Sequence, residues 1–231
     1  MRPHALATSI IALAATSTSH AVIVWTGGGN TADFYDNANW DFSGSVETSM
    51  PAGGGNPSAA TADDLVISGA TLNETSGAFT NIEIGNGLSV TLDGTAFTFV
   101  ANNGFTGVDD PSDVLSTVNL VNGSSLSTQF SAIGITLNVD STSSLTFRGG
   151  GDPINSQIEK TTVILAPGAR LTLPTVAEFT EQGADIEVGG ISFAADPSIL
   201  SFDGTTATAV PEPSSMAFVL LAAMGLTRRR R

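Results

Sequence analysis

The chain has 231 residues, with 22 acidic against 8 basic side chains and a formal net charge of −14. It contains no cysteine, which excludes disulfides, thiolate zinc sites and a cysteine nucleophile. The acidic balance argues against a nucleic-acid partner, because the phosphates would be repelled rather than neutralised. The length fits one domain with additional segments at its ends.

The first 21 residues predict a secretory signal peptide with a short helix. Arg2 lies near the start, and an apolar stretch runs from Ala5 to Ala15. Ser19-His20-Ala21 then has small residues at both positions that a signal peptidase reads. We expect signal peptidase to cut after Ala21, so that the exported chain begins at Val22.

Residues 22–209 have the pattern of an all-β domain. Apolar and polar residues alternate in short runs such as Leu88-Ser89-Val90-Thr91-Leu92. Turn dipeptides that favour positive φ angles, such as Asn86-Gly87 and Asp93-Gly94, separate the runs. No long stripe of apolar residues with helical period interrupts this pattern.

An apolar strand, a small turn and a second strand led by leucine follow one another four times. The leading residues are Leu88, Leu126, Leu145 and Leu171, at uneven spacings of 38, 19 and 26 residues. One coil of a β-solenoid takes about 20 residues or a little more. The first interval therefore holds two coils, or one coil with an inserted loop such as residues 102–113. We predict a parallel β-helix, with a β-sandwich or jelly roll as the alternative.

Both tryptophans and the only tyrosine lie near the start of this domain, as Trp25, Trp40 and Tyr35. The segment Trp25-Thr26-Gly27-Gly28-Gly29, followed by Asn37-Ala38-Asn39-Trp40, resembles the opening of exported bacterial repeat proteins of the autotransporter kind. We expect this segment to cap the first coil, because the terminal coil of a solenoid must be covered. An aromatic platform that stacks on sugar rings is the alternative.

The domain has few side chains that could support catalysis. Both histidines, His4 and His20, lie in the predicted signal peptide, which removes histidine bases and histidine metal sites from the exported chain. Lys160 is the only lysine, so the chain offers a single candidate for a lysine nucleophile. We therefore expect no enzyme activity and no catalytic or cofactor-binding residues.

Two acidic clusters could supply ligands for calcium, because hard cations prefer several oxygen ligands on loops. Calcium is therefore the one candidate cofactor. Neither cluster has the spacing of an EF-hand loop, and short acidic stretches also cap turns without binding metal. Our expectation is therefore that no metal binds. The clusters consist of Asp33, Asp36 and Asp41, and of Asp109, Asp110 and Asp113.

The C-terminal segment 210–231 has three parts. Residues 210–215 contain Pro211-Glu212-Pro213, residues 216–227 predict a short apolar helix, and residues 228–231 are all arginine. An arginine cluster beside an apolar run is a positive-inside signal, which places the C-terminus in the cytoplasm. A helix of this length rises only about 17 Å, against a hydrocarbon core of about 30 Å. Membrane insertion then needs a thin or tilted arrangement with snorkelling arginines.

This tail resembles the PEP-CTERM sorting signal of Gram-negative and related bacteria, a signal that also occurs in proteins labelled as ice-binding. In that family an exosortase, a membrane enzyme related to cysteine transpeptidases, reads the Pro-Glu-Pro motif and cuts near it. The resemblance implies that Pro211, Glu212 and Pro213 are the sorting residues. It also implies a precursor in the inner membrane and a product at the cell surface or in the extracellular matrix.

Two classes of function agree with these features. A structural protein of the cell envelope or matrix needs only a robust fold, an acidic surface and the sorting tail. A surface-displayed binding module for exopolysaccharide or ice is the alternative. Hydroxyl residues follow the turns, as Ser89, Thr91, Ser127, Thr146 and Thr172 do, but uneven coils argue against a regular ice-binding lattice. Without the two end segments, 3 basic and 21 acidic residues leave a net charge of −18.

Overall fold

The computed structural model describes residues 20–29, 33–50, 63–74, 81–99, 104–107, 115–130, 135–149, 153–154 and 161–211. Nearly all regular structure in these ranges is β, which confirms the predicted all-β class. The predicted signal helix and the predicted tail helix lie outside the described residues.

Three sheets contain the strands, and one short helix, α1 (Val176–Glu181), follows β14. The first sheet consists of β1 (Val22–Trp25), β2 (Trp40–Asp41), β3 (Asp64–Ser68), β6 (Ser89–Asp93), β9 (Ser116–Val121), β11 (Ile135–Val139), β13 (Thr162–Leu165), β15 (Ile186–Val188) and β16 (Ile191–Ser192). The second sheet consists of β4 (Thr71–Glu74), β7 (Ala96–Phe99), β10 (Ser125–Thr128), β12 (Ser144–Phe147), β14 (Arg170–Thr172), β17 (Leu200–Asp203) and β18 (Thr206–Ala209). The third sheet pairs β5 (Ile82–Ile84) with β8 (Phe105–Gly107).

Successive coils place one strand in the first sheet and the next strand in the second sheet. The strand pairs β3–β4, β6–β7, β9–β10, β11–β12 and β13–β14 stack on one another in parallel register. A sandwich or jelly roll would instead pair its strands antiparallel. The parallel stacking confirms the predicted β-solenoid.

Three of the four predicted leading leucines occupy equivalent positions in successive coils. Leu126 pairs with Leu145, and Leu145 pairs with Leu171. Leu88 was assigned to this column wrongly, because it precedes β6 of the first sheet, and Phe97 stands beside Leu126 instead. One coil instead runs from Phe97 to Leu126, and β8 lies within the connection of that coil.

Alternation along each strand directs apolar side chains inward from both large sheets into one core. In the first sheet, one inward column is Ile23, Leu65, Val90, Val118, Leu137, Val163 and Ile186, all fully buried. In the second sheet, the matching column is Leu72, Phe97, Leu126, Leu145, Leu171 and Ala207. Burial of this apolar surface is the main driving force for the fold.

Buried hydroxyl groups line the short turns between the two large sheets. The hydroxyl oxygen of Ser124 accepts a hydrogen bond from the Thr95 amide at 3.0 Å and donates to the Leu92 carbonyl at 2.8 Å. The hydroxyl oxygen of Ser143 accepts from the Ser124 amide at 3.0 Å. Each hydroxyl thereby gives a backbone amide in the turn of a neighbouring coil an acceptor inside the fold.

Antiparallel strands and aromatic side chains close both ends of the solenoid. At the N-terminal end, β2 pairs antiparallel with β1, and the ring of Phe34 stacks on Phe97 of the core. At the C-terminal end, β16 and the β17–β18 hairpin reverse the chain direction. The rings of Phe179 and Phe202 meet there with centroids 4.9 Å apart.

Candidate functional site

The predicted sorting signal begins where the folded domain ends. Ala209 is the last residue of β18, and the Val210 amide donates a hydrogen bond to the Ile199 carbonyl at 2.9 Å. Pro211 follows immediately and is exposed. Glu212 and Pro213 lie outside the described residues. No spacer separates the first proline of the motif from the C-terminal cap.

The predicted signal-peptide cleavage site adjoins the opposite end of the domain. Strand β1 begins at Val22, and the Ala21 carbonyl accepts a hydrogen bond from the Asp64 amide at 3.1 Å. The peptide bond between Ala21 and Val22 is therefore next to the first parallel pairing of the first sheet. Cleavage after Ala21 stays a prediction.

The outer face of the second sheet carries mostly small polar side chains, and we call it the hydroxyl face. One outward column runs through six paired strands in register: Asn73, Thr98, Ser127, Thr146, Thr172 and Thr206. The neighbouring outward column is Thr71, Ala96, Ser125, Ser144, Arg170 and Thr208. Arg170 is the only charged residue of these two columns in the six strands, and on the edge strand β17 the columns continue to Asp203 and Ser201.

The hydroxyl face is regular although the coils differ in length. The extra residues of the longer coils lie in the connections, so the strands keep their register. Neighbouring strands lie about 4.8 Å apart, so the six-residue column spans about 24 Å. The expectation that uneven coils would prevent a regular array was wrong for this sheet, because coil length and strand register are set by different segments.

The outer face of the first sheet has a different character. The Asn138 side-chain amide donates to the Asn119 side-chain oxygen at 3.0 Å, and Thr91 precedes them in the same column. A shallow concavity of about 410 Å³ adjoins this ladder, and Ile164 and Pro167 contribute to its wall. The amide groups bond mainly to one another here, which stabilises the stacking of coils.

The N-terminal acidic cluster uses its carboxylates to hold turns. Asp33 and Asp36 accept hydrogen bonds from the backbone amides of Tyr35 and Ala38, each at 3.0 Å. A backbone hydrogen bond from Ser43, with a second from its side chain, lowers the pKa of Asp41. Among the described residues, no three acidic or histidine side chains converge as metal ligands would. The second predicted cluster, Asp109, Asp110 and Asp113, lies outside the described residues.

The N-terminal aromatic residues pack on the end of the core, as the cap interpretation predicted. The Trp40 side chain is 5% exposed, and its indole N–H donates to the Phe34 carbonyl at 2.7 Å. The rings of Trp25 and Trp40 meet edge to face with centroids 5.1 Å apart. A sugar-binding platform would need an open ring face, which the burial of Trp40 does not offer.

Sequence reasoning missed most of the hydroxyl face. Ser127, Thr146 and Thr172 were noted, but Thr98 and Thr206 were not placed with them, because the strand equivalences depended on the register of β7 and β18. The grouping of Ser89 and Thr91 with these residues was wrong, because both lie in β6 of the first sheet. The available signal was a hydroxyl residue directly after the inward residue in β7, β10, β12 and β14, as in Phe97-Thr98 and Leu145-Thr146. In β4 this position is Asn73, and in the antiparallel β18 the hydroxyl residue Thr206 precedes the inward Ala207.

The structure defines a β-solenoid whose two ends are covered by antiparallel strands and aromatic side chains. Residues 209–231 of this chain match the family model of the PEP-CTERM protein-sorting motif. The chain is therefore a protein with a PEP-CTERM sorting motif, and this motif implies exosortase-dependent sorting of an exported protein.

Neither the curated proteins nor the solved structures gave a match to the chain. The resemblance of residues 25–40 to autotransporter-type openings has no support from these comparisons and stays a prediction. No helix within the described ranges has both the length and the apolar character needed to cross a membrane. The predicted membrane helix at 216–227 lies outside those ranges.

Proposed function

We propose that the protein is a structural component of the bacterial cell envelope or extracellular matrix. An exosortase would recognise Pro211, Glu212 and Pro213 and transfer the solenoid from the inner membrane to the cell surface or matrix. The observation that carries this proposal is the sorting motif at 209–231, which begins at the last residue of the closed solenoid.

The surface chemistry of the exported domain supports a structural role. Its net charge of −18 favours solubility and mutual repulsion in a crowded envelope. The domain lacks histidine and cysteine and has a single lysine, which leaves few groups for acid–base or nucleophilic catalysis. We propose that it is not an enzyme and that it needs no bound cofactor.

Replacement of Pro211, Glu212 and Pro213 by alanine tests the sorting proposal in a host that has the exosortase. We expect a full-length form that accumulates in the inner-membrane fraction, measured by fractionation and intact mass. The matched control replaces two prolines and one glutamate elsewhere, as Pro167→Ala, Glu187→Ala and Pro197→Ala, and should be processed normally. Equal processing of both variants would contradict the proposal.

The hydroxyl face favours a second function, the binding of exopolysaccharide or ice. Polysaccharide hydroxyls and water both exchange hydrogen bonds with flat arrays of Ser and Thr, and the face carries little charge to interfere. The hydroxyls of Thr172 and Thr206 lie 2.8 Å apart, so a hydrogen bond joins the last coil strand, β14, to the cap strand β18 on this face.

Bulky substitutions separate this binding role from a purely structural one. Thr146→Tyr with Thr172→Tyr would interrupt the hydroxyl face, and Thr136→Tyr with Thr162→Tyr is the matched control on the first sheet. If the face binds a ligand, only the first pair should lower retention on the host's exopolysaccharide, or thermal hysteresis in the case of ice. If the unsubstituted protein shows neither retention on exopolysaccharide nor thermal hysteresis, the binding role is refuted and only the structural role remains.

A further inference from the structure

Strand β18 is hydrogen-bonded along both of its edges directly before the sorting motif. On one edge it pairs with β17 in the register Leu200↔Ala209 to Asp203↔Thr206. On the other edge it pairs with β14 in the register Arg170↔Thr208 to Thr172↔Thr206. No edge of this strand is open to another chain.

The last residue of β18, Ala209, is hydrogen-bonded through both its backbone amide and its carbonyl. The Ala209 amide donates to the Ala169 carbonyl at 2.9 Å, and the Ala209 carbonyl accepts from the Gly168 amide at 2.8 Å. The side chains of Ala207 and Ala209 are 0% and 2% exposed. The bond from the Val210 amide to the Ile199 carbonyl extends this fixation one residue further.

Proteases and transpeptidases bind a substrate segment in extended form, and the segment's backbone commonly pairs with an open edge in the enzyme's cleft. Residues 206–209 cannot enter such a cleft while both edges of β18 are occupied. Strand β18 must first separate from β14 and β17, which would expose Leu171 and Leu200 to water.

We infer that the folded C-terminal cap sets the upstream limit of exosortase cleavage, so that the cut falls C-terminal to Val210 and β18 stays in the product. This inference rests on the proposed function, because it concerns the same processing event. Two features then determine the position of the cut. The exosortase binds the motif, and the folded cap keeps the peptide bonds upstream of the motif out of the enzyme's cleft.

The C-terminus of the processed protein tests the inference directly. The wild-type product, purified from a host with the exosortase, should end at Val210 or beyond in intact-mass and C-terminal peptide measurements. A product that ends at Ala209 or earlier would overturn the inference and leave the proposed sorting intact. A chain that is never processed would overturn both.

Two variants test whether the cap, and not the motif alone, sets the limit. Ala207→Glu places a charge in the buried column and should open β18, whereas Thr208→Glu adds the same charge on the outer face. We expect Ala207→Glu to raise the fraction of product ending upstream of Val210 at least about tenfold over wild type. Thr208→Glu should match wild type.

Identical C-termini for all three proteins, with β18 of Ala207→Glu shown by limited proteolysis to be open, would overturn the inference. If the Ala207→Glu chain is degraded before processing, the wild-type C-terminus decides the question by itself.

Discussion

Replacement of Phe97 by alanine should strongly destabilise the N-terminal half of the solenoid. The Phe97 side chain is 1% exposed and lies in the inward column of the second sheet. Its ring meets Phe34 at 5.9 Å, Phe99 at 4.8 Å and Phe105 at 5.6 Å between centroids. It thus joins the N-terminal cap to the core and to the third sheet.

The expected loss of unfolding free energy follows from this burial. A fully buried Phe→Ala change costs about 3–5 kcal/mol, and the loss of three aromatic contacts places Phe97→Ala in the upper part of this range. We expect about 4–5 kcal/mol for Phe97→Ala. Phe202→Ala should cost about 2 kcal/mol, because Phe202 is 41% exposed.

Urea unfolding of the processed protein measures both losses. With a slope of about 2–3 kcal/mol per molar urea, Phe97→Ala should lower the midpoint by about 2 M. Fluorescence of Trp25 and Trp40 reports on the affected end, since Phe34 contacts both Trp40 and Phe97. Val46→Ala, at a site 85% exposed, is the control and should change nothing measurable. Equal losses for Phe97→Ala and Phe202→Ala would refute the reasoning.

Three further changes have definite expected outcomes. Ser124→Ala should cost about 1–3 kcal/mol in urea unfolding, because the Thr95 amide loses its acceptor inside the fold, whereas Ser125→Ala on the outer face should cost little. Gly104→Ala should destabilise by about 1–3 kcal/mol, because the added methyl collides with the Phe130 carbonyl; an unchanged melting temperature would contradict this packing. At Asp140, partial burial opposes ionisation, but hydrogen bonds from Ser143, the Asn122 amide and Thr142 outweigh it and lower the pKa to about 2. A lowered pKa stabilises the fold above the unfolded value of 3.8, and this contribution disappears as the pH falls through about 2. Asp140→Asn should therefore lose about 1 kcal/mol at pH 7, since the site is largely exposed, and match wild type near pH 2.

Strand alternation made most of the solenoid predictable from sequence. Leu126, Leu145 and Leu171 alternate with small polar residues after short turns, and this local pattern is also the pattern of inward and outward side chains in the sheet. The C-terminal motif was equally predictable, because its recognition depends on residue order near the end and not on folding.

The register of the first coils was not predictable in the same way. Ile82-Glu83-Ile84 alternates like a coil strand, yet it pairs with β8 in the third sheet. Alternation shows that a segment is a strand but not which sheet it joins, because that choice depends on contacts between distant residues. The same ambiguity hid Thr98 and Thr206 in the hydroxyl face.

The C-terminal cap was missed because its signals are short. Helix α1 has only six residues, and its burial of Phe179 comes from contacts with Phe193 and Phe202 far along the chain. A capping box at Thr175 and Glu178 was the one local sign of this helix.

The coil connections differ in length, so residues can be inserted in some of them without a change in the register of the strands. Turns from the first to the second sheet are short, as at Gly69-Ala70 and Gly94-Thr95, and one added residue there would turn inward side chains outward. Connections back to the first sheet already range in length from residues 129–134 to residues 100–115. An epitope or ligand-binding peptide inserted in the second kind of connection would be displayed at the side of the rod without disturbing its stacked strands.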